Sequence, residues 1–263
     1  SQVITLALEG STLYTGGYFT AVNGQTRMYV AALDATTGAV MSWDPNSDGP
    51  VLAVVVSGTS VYVVGGFTTI GGAARKYIAA LDPLSGSATG WNVDVIGSVE
   101  AIAVSGSTVY AGGGFISIGG QARNSVAALS ATTGAVTAWN PNVTGHVDAI
   151  AVAGSTVYVA GTFTSIGGLP RGNIAAIDSA GAATPWNPQA NGGIVALAVS
   201  GSTVYAGGVF QNIGGQARNN LAAIDSATGA ATSWDPNPSG MVDALATSGN
   251  VVYAGGSLNS VGG

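Results

Sequence analysis

VEAIAVSGSTVYAGGGFISIGGQARNSVAALSATTGAVTAWNPN, residues 99–142, is the stretch that decides the fold, because the rest of the chain repeats its pattern. A shift of 48 residues aligns the 263-residue chain with itself, with one deletion in the fourth copy. The repeats occupy residues 3–50, 51–98, 99–146, 147–193 and 194–241, and a half repeat follows at 242–263. Self-similarity at such a period predicts that each repeat forms one supersecondary unit.

Short runs of β-branched and aromatic residues, such as 99–104 and 108–111, predict strands. Ser-Gly-Ser at 105–107 and Thr-Thr-Gly at 132–134 supply tight turns between the first two and the last two strands. No window keeps a helical apolar spacing free of Gly. The sequence therefore predicts an all-β propeller of four-stranded antiparallel blades, one domain over 1–263. It has five blades and a spare hairpin, or six blades of which the last is incomplete.

The composition excludes several classes of partner. Charged residues make up 7% of the chain, and the net charge of -6 reflects a scarcity of Lys and Arg. Without a basic face, no nucleic-acid partner is expected. No apolar run reaches the roughly 18 residues that a spanning helix needs, so no membrane insertion is expected. The absence of Cys excludes disulfides and thiolate metal sites, and no cofactor is predicted.

Several motifs carry a family resemblance: Gly65-Gly66-Phe67, Ile70-Gly71-Gly72, Arg75, Ala79-Ala80-Leu81-Asp82 and Trp91. They resemble the delta-60-type propeller repeat of large secreted bacterial proteins, and the likeness covers essentially the whole chain. The resemblance implies secretion and an extracellular or cell-surface location within a larger adhesin-like protein. It implies no catalytic activity and no defined ligand. The second repeat departs from the pattern by lacking Pro after Trp91-Asn92.

An Arg recurs at one position of each full repeat: Arg27, Arg75, Arg123, Arg171 and Arg218. In four repeats an Asp follows seven residues later: Asp34, Asp82, Asp178 and Asp225. This spacing suggests an ion pair in which the Arg fork also holds loop carbonyls. The functional alternative is a ring of anion or sugar sites, but the structural role is favoured. The third repeat has Ser130 in place of Asp, so Arg123 is expected to be the least constrained.

A Trp ends each full repeat: Trp43, Trp91, Trp139, Trp186 and Trp234. Such rings can cover the seam between neighbouring blades while the indole N–H meets a carbonyl. Alternatively, the rings could stack on sugars beside polar neighbours, giving a lectin with one site per blade. The polar neighbours that would serve such sites are Asp44, Asn140, Asn187 and Asp235. Because Pro follows these neighbours, a turn-shaping role is favoured.

Metal and catalytic motifs are weak in this sequence. Asp44, Asn46 and Asp48 alternate as in the start of a calcium loop, but the twelfth position is Val55 where a Glu would be needed. An Asx-type turn is therefore the favoured interpretation. His146 is the only histidine, so neither a zinc site nor a repeated catalytic set is expected.

The half repeat at 242–263 supplies a hairpin without its outer strands, which predicts an exposed blade edge. The chain is therefore expected to be an excerpt of a longer protein, or to engage other copies or surface proteins through that edge. The favoured function is a non-catalytic structural, adhesive or protein-interaction module outside the cell. A multivalent glycan-binding lectin is the alternative, and a hydrolase is the weakest of the three.

Overall fold

A computed structural model describes residues 2–262 as antiparallel strands joined by loops. The first three strands of each full repeat form a meander with the second strand in the middle. The first strands are Gln2–Glu9, Val51–Ser57, Val99–Ser105, Val143–Ala153, Ile194–Ser200 and Val242–Ser248. The second strands are Thr12–Tyr18, Ser60–Gly65, Thr108–Gly113, Thr156–Ile166, Thr203–Gly208 and Val251–Gly256. The third strands are Val30–Asp34, Ile78–Leu81, Val126–Ser130, Ile174–Ile177 and Leu221–Asp225.

The fourth strand of each blade is reduced to a single β-bridge with the third. These bridges are Leu33–Val40, Leu81–Ala88, Leu129–Val136, Ile177–Ala183 and Ile224–Ala231. The segment is short because it lies between the tight turn after the third strand and the loop that begins at the Trp. Antiparallel blades are thus confirmed, with the outermost strand held at one point.

Small ribbons lie between the second and third strands, at the Gly-Gly motif. Four are two-residue hairpins: Ala21–Val22 with Gln25–Thr26, Thr69–Ile70 with Ala73–Ala74, Ser117–Ile118 with Gln121–Ala122, and Asn212–Ile213 with Gln216–Ala217. In the fourth repeat Leu169–Pro170 pairs with the long second strand. Val95–Ile96, at the end of the second repeat, pairs with Ser117–Ile118 of the third.

The described chain divides into two compact units. The N-terminal half contains residues 2–123 and 127–138, and the C-terminal half contains 124–126 and 139–262. Blades 1 to 3, numbered as the repeats, lie in the N-terminal half. Blades 4 and 5 and the sixth hairpin lie in the C-terminal half. The single-domain boundary of 1–263 stays a prediction.

In the N-terminal half, the core consists of seams between unlike blade faces. Tyr14, Ala32 and Trp43 of blade 1 pack in one buried cluster with Val54 and Val61 of blade 2. The other face of blade 2 forms the next seam with blade 3, through the buried side chains Tyr62, Ile78, Trp91, Ile102 and Val109. Blades 1 and 2 therefore present a Tyr-bearing face to the blade that follows, and blades 2 and 3 present an aliphatic face to the blade before.

The C-terminal half repeats this packing between blades 4 and 5. Tyr158, Ile174 and Trp186 of blade 4 lie in one buried cluster with Ile194 and Val204 of blade 5. Removing these apolar side chains from water is the main source of stability in such a stacked array, because each repeat is stabilised by its neighbours.

The Gly-Gly motif provides a matched pair for testing the close approach of these loops. Gly71 has a φ of +61°, and a Cβ there would lie 2.3 Å from the backbone N of Ala88. Gly72 has a φ of +75°, and a Cβ there would meet nothing within 4 Å. Gly71→Ala should lower the free energy of unfolding by roughly 2–4 kcal/mol through strain and overlap. Gly72→Ala should lower it by about 1 kcal/mol, from the left-handed backbone alone.

Urea unfolding followed by circular dichroism measures both changes. Equal losses for the two variants would contradict the close contact at Gly71.

Candidate functional site

The loop after each Trp is joined to the Gly-Gly loop of the next repeat by a backbone hydrogen bond. Gly71 N donates to Pro45 O at 2.7 Å. The same bond recurs from Gly119 to Asp94, Gly167 to Asn142, Gly214 to Pro188 and Gly262 to Pro236. The two repeated loops that sequence analysis singled out therefore contact each other across successive repeats.

A left-handed residue shapes the loop after the Trp. Asn46, Asn142 and Asn237, third after their Trp, have φ values of 51°, 56° and 44°, and Gln189 has 48°. Asn tolerates this conformation better than most residues. The backbone conformation of this loop therefore explains why Asn follows Pro in the repeat.

Each repeated Arg holds two backbone carbonyls of its own repeat. Arg75 Nη1 donates to Ala74 O at 2.8 Å, and its Nη2 donates to Thr89 O at 2.6 Å. Equivalent pairs of bonds are made by Arg27, Arg123, Arg171 and Arg218. The guanidinium fork thus joins the Gly-Gly hairpin to the segment just before the Trp.

The expected pairing of these Arg residues with the Asp seven positions later is wrong. Asp34 instead accepts hydrogen bonds from Thr36 N and Thr37 N in its own turn. Arg27 lies 3.7 Å from Asp44, the residue after the Trp. The carboxylate of Asp34 lies next to the amides of its own turn in the sequence, so it hydrogen-bonds with them instead of pairing with Arg27.

The same turn capping recurs at Asp82, Asp178 and Asp225. Hydrogen bonds from Thr37 lower the pKa of Asp34, those from Ser85 lower the pKa of Asp82, and those from Thr228 lower the pKa of Asp225. Arg218 lies 3.5 Å from Asp235, which repeats the contact between Arg27 and Asp44.

Arg123 is not less constrained than its equivalents, contrary to expectation. It donates to the carbonyls of Ala122 and Thr137, and additionally to Gln121 Oε1 at 3.0 Å. Ser130 occupies the turn-capping position and accepts a bond from Thr133 N. The substitution of Asp by Ser therefore changes the turn and leaves the Arg in place.

Each of the first four Trp residues crosses to the following repeat. Trp43 Nε1 donates to Asp82 O at 3.0 Å, 39 residues ahead. Bonds of the same separation run from Trp91 to Ser130, Trp139 to Asp178 and Trp186 to Asp225. All four rings are buried. They lack the open face that sugar stacking would require, whereas Trp234 is 37% exposed.

The polar residue that follows each Trp lies in the loop after that Trp. Asp44, Asn140 and Asp235 are exposed, and Asn187 is half-buried. Because the adjacent rings are inside, a sugar site built on both ring and polar neighbour is not assembled at Trp43, Trp139 or Trp186. Binding by the polar neighbours alone stays a prediction.

The calcium candidate is organised as a loop clamp. Asp48 Oδ1 accepts bonds from Thr68 N at 2.7 Å and Thr69 N at 2.9 Å, and its Oδ2 accepts one from Thr68 Oγ1. Asp44 Oδ1 accepts a bond from Asn46 N at 3.3 Å. The bond to Asp44 is that of an Asx-type turn, whereas Asp48 holds a loop about 20 residues ahead in the chain.

The sequence analysis named Asp48 only as part of a calcium candidate and missed its role in holding two loops together. Asn191 Oδ1 accepts bonds from Gln211 N and Asn212 N, and Ser239 Oγ accepts them from Asn259 N and Ser260 N. Asp48, Asn191 and Ser239 each lie five residues after a Trp. The sequence signal for this clamp is an oxygen-bearing side chain five residues after the Trp.

Two cavities lie beside these loops and turns. In the C-terminal half a cavity of about 400 Å³ is lined by Asn191, Gln211, Asn219, Asn220 and Ser239, together with Val209, Phe210 and Pro238. In the N-terminal half a cavity of about 700 Å³ is bordered by Tyr62, Asp82 and Trp91 and by the turns 57–60, 106–107 and 131–132. The polar lining of the C-terminal cavity consists of amide and hydroxyl groups, which can form hydrogen bonds with neutral groups.

The described residues contain no helix with the length and apolarity that a membrane crossing requires. A family model described as outer membrane protein assembly factor BamB matches residues 74–261. Comparison with curated proteins finds no matching sequence.

Solved structures that resemble this chain include the computationally designed Ika8 protein, with a TM-score of 0.61 at 16% identity, covering 99% of this chain and 70% of that one. The Pan2 WD40 domain of Neurospora crassa gives a TM-score of 0.59 at 12% identity, covering 92% and 68%. BamB from Moraxella catarrhalis gives 0.53 at 20% identity, covering 96% and 79%. With the all-β architecture, these likenesses confirm the predicted β-propeller fold.

The clamp at Asp48 generates a prediction about acid stability. Desolvation raises the pKa of Asp48, but hydrogen bonds from Thr68 and Thr69 outweigh it and lower that pKa from 3.8 to about 2. The stabilisation by Asp48 should be complete above its unfolded pKa and lost as pH falls through its folded pKa. Asp48→Asn should therefore show a smaller fall in melting temperature than the parent between about pH 4 and pH 2.

Asn191 shows that Asn fits the clamp position, since it accepts the equivalent two amide bonds. Asp243→Asn, at an exposed strand position, is the matched control and should keep the parent's acid profile. Superimposable profiles for Asp48→Asn and the parent would show that the clamp carboxylate does not contribute.

The Trp bonds generate a second prediction. Trp186→Phe should lower the free energy of unfolding by about 1–3 kcal/mol, because the smaller ring underfills a buried site and the Asp225 carbonyl keeps only its bond from Gly229 N. Trp234→Phe removes a ring that is 37% exposed and should have a smaller effect. Urea unfolding followed by circular dichroism compares the two, and a larger loss at Trp234 would contradict the seam role.

Proposed function

This chain belongs to the family described as outer membrane protein assembly factor BamB, and we propose that it is a non-catalytic propeller module that binds other proteins. The repeated polar side chains support this proposal, because Arg, Asp and Trp make intramolecular bonds that hold the loops. These side chains already make hydrogen bonds within the chain, so a protein partner would contact other parts of the surface.

The finer proposal concerns where the module acts. A cell-envelope or extracellular location is supported by the name of the family and by the delta-60-type resemblance of the repeat. In that setting the chain would serve a structural or adhesive role in a larger bacterial surface assembly. The low charge of the chain fits association with proteins better than association with polyanions.

One observation carries the protein-binding proposal. In blades 1, 2, 4 and 5 the second strand pairs with both the first and the third strand. Within residues 2–262, the strand Val251–Gly256 pairs only with Val242–Ser248. Its sequence VVYAGG nearly repeats TVYAGG of Thr203–Gly208, which does carry a third strand. The unpaired backbone groups along this edge can accept an extended segment of a partner.

Glycan binding is the second candidate, and the amide-lined cavity in the C-terminal half favours it. Asn191, Gln211 and Asn219 line that cavity with neutral donors and acceptors, which suit hydroxyl groups. A glycan-array screen of the folded chain, beside a Gln211→Leu variant, tests this candidate separately. Binding that is lost in the variant would favour it over protein binding.

The edge proposal predicts that an isolated third strand will bind. A labelled peptide of residues 216–230, QARNNLAAIDSATGA, contains the strand that pairs with Thr203–Gly208. We expect it to bind the folded chain with a dissociation constant on the order of 100 μM, as measured by fluorescence anisotropy. A peptide with Pro at positions 222 and 223 should not bind, because it cannot donate the backbone hydrogen bonds.

A photoreactive group at position 223 of the peptide locates the contact. Cross-links to residues 251–256 are expected, since those residues form the open edge. Cross-links confined to 203–208 would indicate exchange with the chain's own strand, and they would contradict the proposal, as would equal binding of the Pro peptide.

A further inference from the structure

Two backbone amides donate to the side chain of an Asn that precedes a Gly. Asn191 Oδ1 accepts hydrogen bonds from Gln211 N and Asn212 N at 2.9 Å each. Asn191 is exposed, and Gly192 after it is half-buried. In an Asn-Gly pair the backbone nitrogen can approach the side-chain amide closely, because Gly has no Cβ to obstruct it. The position is therefore a candidate for a reaction within the chain itself.

The Gly of this pair is required by the fold. A Cβ at Gly192 would overlap the carbonyl oxygen of Val209, which belongs to the loop that Asn191 holds. The side chain that precedes this Gly in each repeat occupies what we call the clamp position, five residues after the Trp. Equivalent overlaps with a backbone carbonyl are found for Gly49, Gly145 and Gly240. An Asn at the clamp position is thus necessarily followed by Gly.

The first repeat already contains the acid that loss of the Asn191 amide would produce. Asp48 occupies the clamp position there and precedes Gly49. Its Oδ1 accepts bonds from Thr68 N at 2.7 Å and Thr69 N at 2.9 Å. The clamp therefore accommodates a carboxylate with the same two backbone donors.

We propose that Asn191 is a self-modification site, at which the clamp promotes deamidation to Asp. Gly192 N attacks Cγ of Asn191 and forms a five-membered succinimide ring. The bond between Cγ and Nδ2 breaks, and Nδ2 leaves as ammonia with the proton that Gly192 N loses. Negative charge develops on Oδ1 during the attack, and the amides of Gln211 and Asn212 stabilise it as an oxyanion hole does. This inference goes beyond protein binding and does not depend on it.

A solvent water then opens the ring. Attack at Cγ breaks its bond to the Gly192 nitrogen and gives Asp, whereas attack at the backbone carbonyl carbon gives isoAsp. The donors Gln211 N and Asn212 N polarise the Cγ carbonyl and direct the water to Cγ. IsoAsp would also lengthen the main chain by one atom beside the close approach of Gly192 to Val209. Asp is therefore the expected major product.

The reaction changes the charge of the amide-lined cavity in the C-terminal half. Asn191 lines that cavity together with Gln211, Asn219 and Asn220. An Asp at position 191 adds a carboxylate to a polar lining of amides and hydroxyls, so the cavity would favour cationic ligand groups. The clamp would also tighten, because amide donors bind a carboxylate more strongly than a neutral amide.

The chain holds an internal control for this reaction. Asn23 precedes Gly24, and both residues are exposed. Asn23 Nδ2 donates to Gly38 O at 3.0 Å, and no donor among residues 2–262 reaches its Oδ1. Asn23 therefore has the same dipeptide as Asn191 without the two amides that would stabilise the developing charge.

Timed incubation at mildly alkaline pH, followed by trypsin digestion and mass spectrometry, measures the two sites separately. Cleavage after Arg27 releases Asn23, and cleavage after Arg171 and Arg218 releases Asn191. In the folded chain Asn191 should deamidate about tenfold faster than Asn23, with Asp in excess over isoAsp at position 191. In urea the two sites should react at similar rates and give the same product ratio, because both are then Asn-Gly in an unfolded chain.

Asp48→Asn transplants the reaction to the first repeat. It places an Asn before Gly49, where Thr68 N and Thr69 N supply the two donors. Freshly prepared Asp48→Asn should convert back to Asp at about the rate at which Asn191 deamidates.

Asn191→Ser is the matched control. It keeps an oxygen at the clamp position, as Ser239 does when it accepts bonds from Asn259 N and Ser260 N. The parent should form a more acidic species during incubation, as resolved by isoelectric focusing, and Asn191→Ser should lose the fast phase of that change.

Three results would overturn the proposal: deamidation at Asn191 that is no faster than at Asn23 in the folded chain, an excess of isoAsp at position 191, or an Asp48→Asn variant that stays Asn. Binding of the edge peptide does not involve the clamp, so failure of the modification site and failure of the protein-binding function are distinguishable.

Discussion

The structure depends on the indole N–H that Trp43 and its equivalents donate to a carbonyl of the next repeat. A three-stranded blade has two apolar faces and cannot bury both by itself, so stability arises at the seams. The Trp covers such a seam and fixes its register with one directional bond. In four blades an edge-on contact with a Tyr ring supports the Trp, as between Tyr14 and Trp43 at 5.1 Å.

The few charged residues of this chain serve the loops around that seam. The guanidinium of Arg75 holds two carbonyls at the ends of the segment that leads to Trp91, and Asp82 caps the turn before it. Hydrogen bonds to ionised groups are stronger than neutral ones, so one Arg and one Asp can order a long glycine-rich connection. The repeat therefore leaves little charge for a ligand.

The period, the antiparallel blades and the seam position of the Trp followed from the sequence, because they depend on patterns within one repeat. The sequence also predicted a full fourth strand in each blade, where the structure has a single β-bridge. The hydrogen-bond partners of individual side chains were harder to predict. Asp34 at seven residues from Arg27 suggested an ion pair, but a carboxylate at the start of a turn meets the amides of Thr36 and Thr37 first. The clamp at Asp48 was missed because Thr68 lies 20 residues ahead, and no local rule relates the two.

One position of the repeat is occupied by different residue types in different blades, and this difference has a physical basis. The residue before the third strand has a positive φ in every full repeat: Tyr29, Tyr77, Ser125, Asn173 and Asn220. The two Tyr residues pack against the apolar clusters, whereas Asn173 donates its amide to the carbonyl of Ala190 at 2.9 Å. Asn adopts this backbone with less strain than Tyr but fills less space. Asn220 lines the amide-lined cavity of the C-terminal half, at the position where blades 1 and 2 place a Tyr ring.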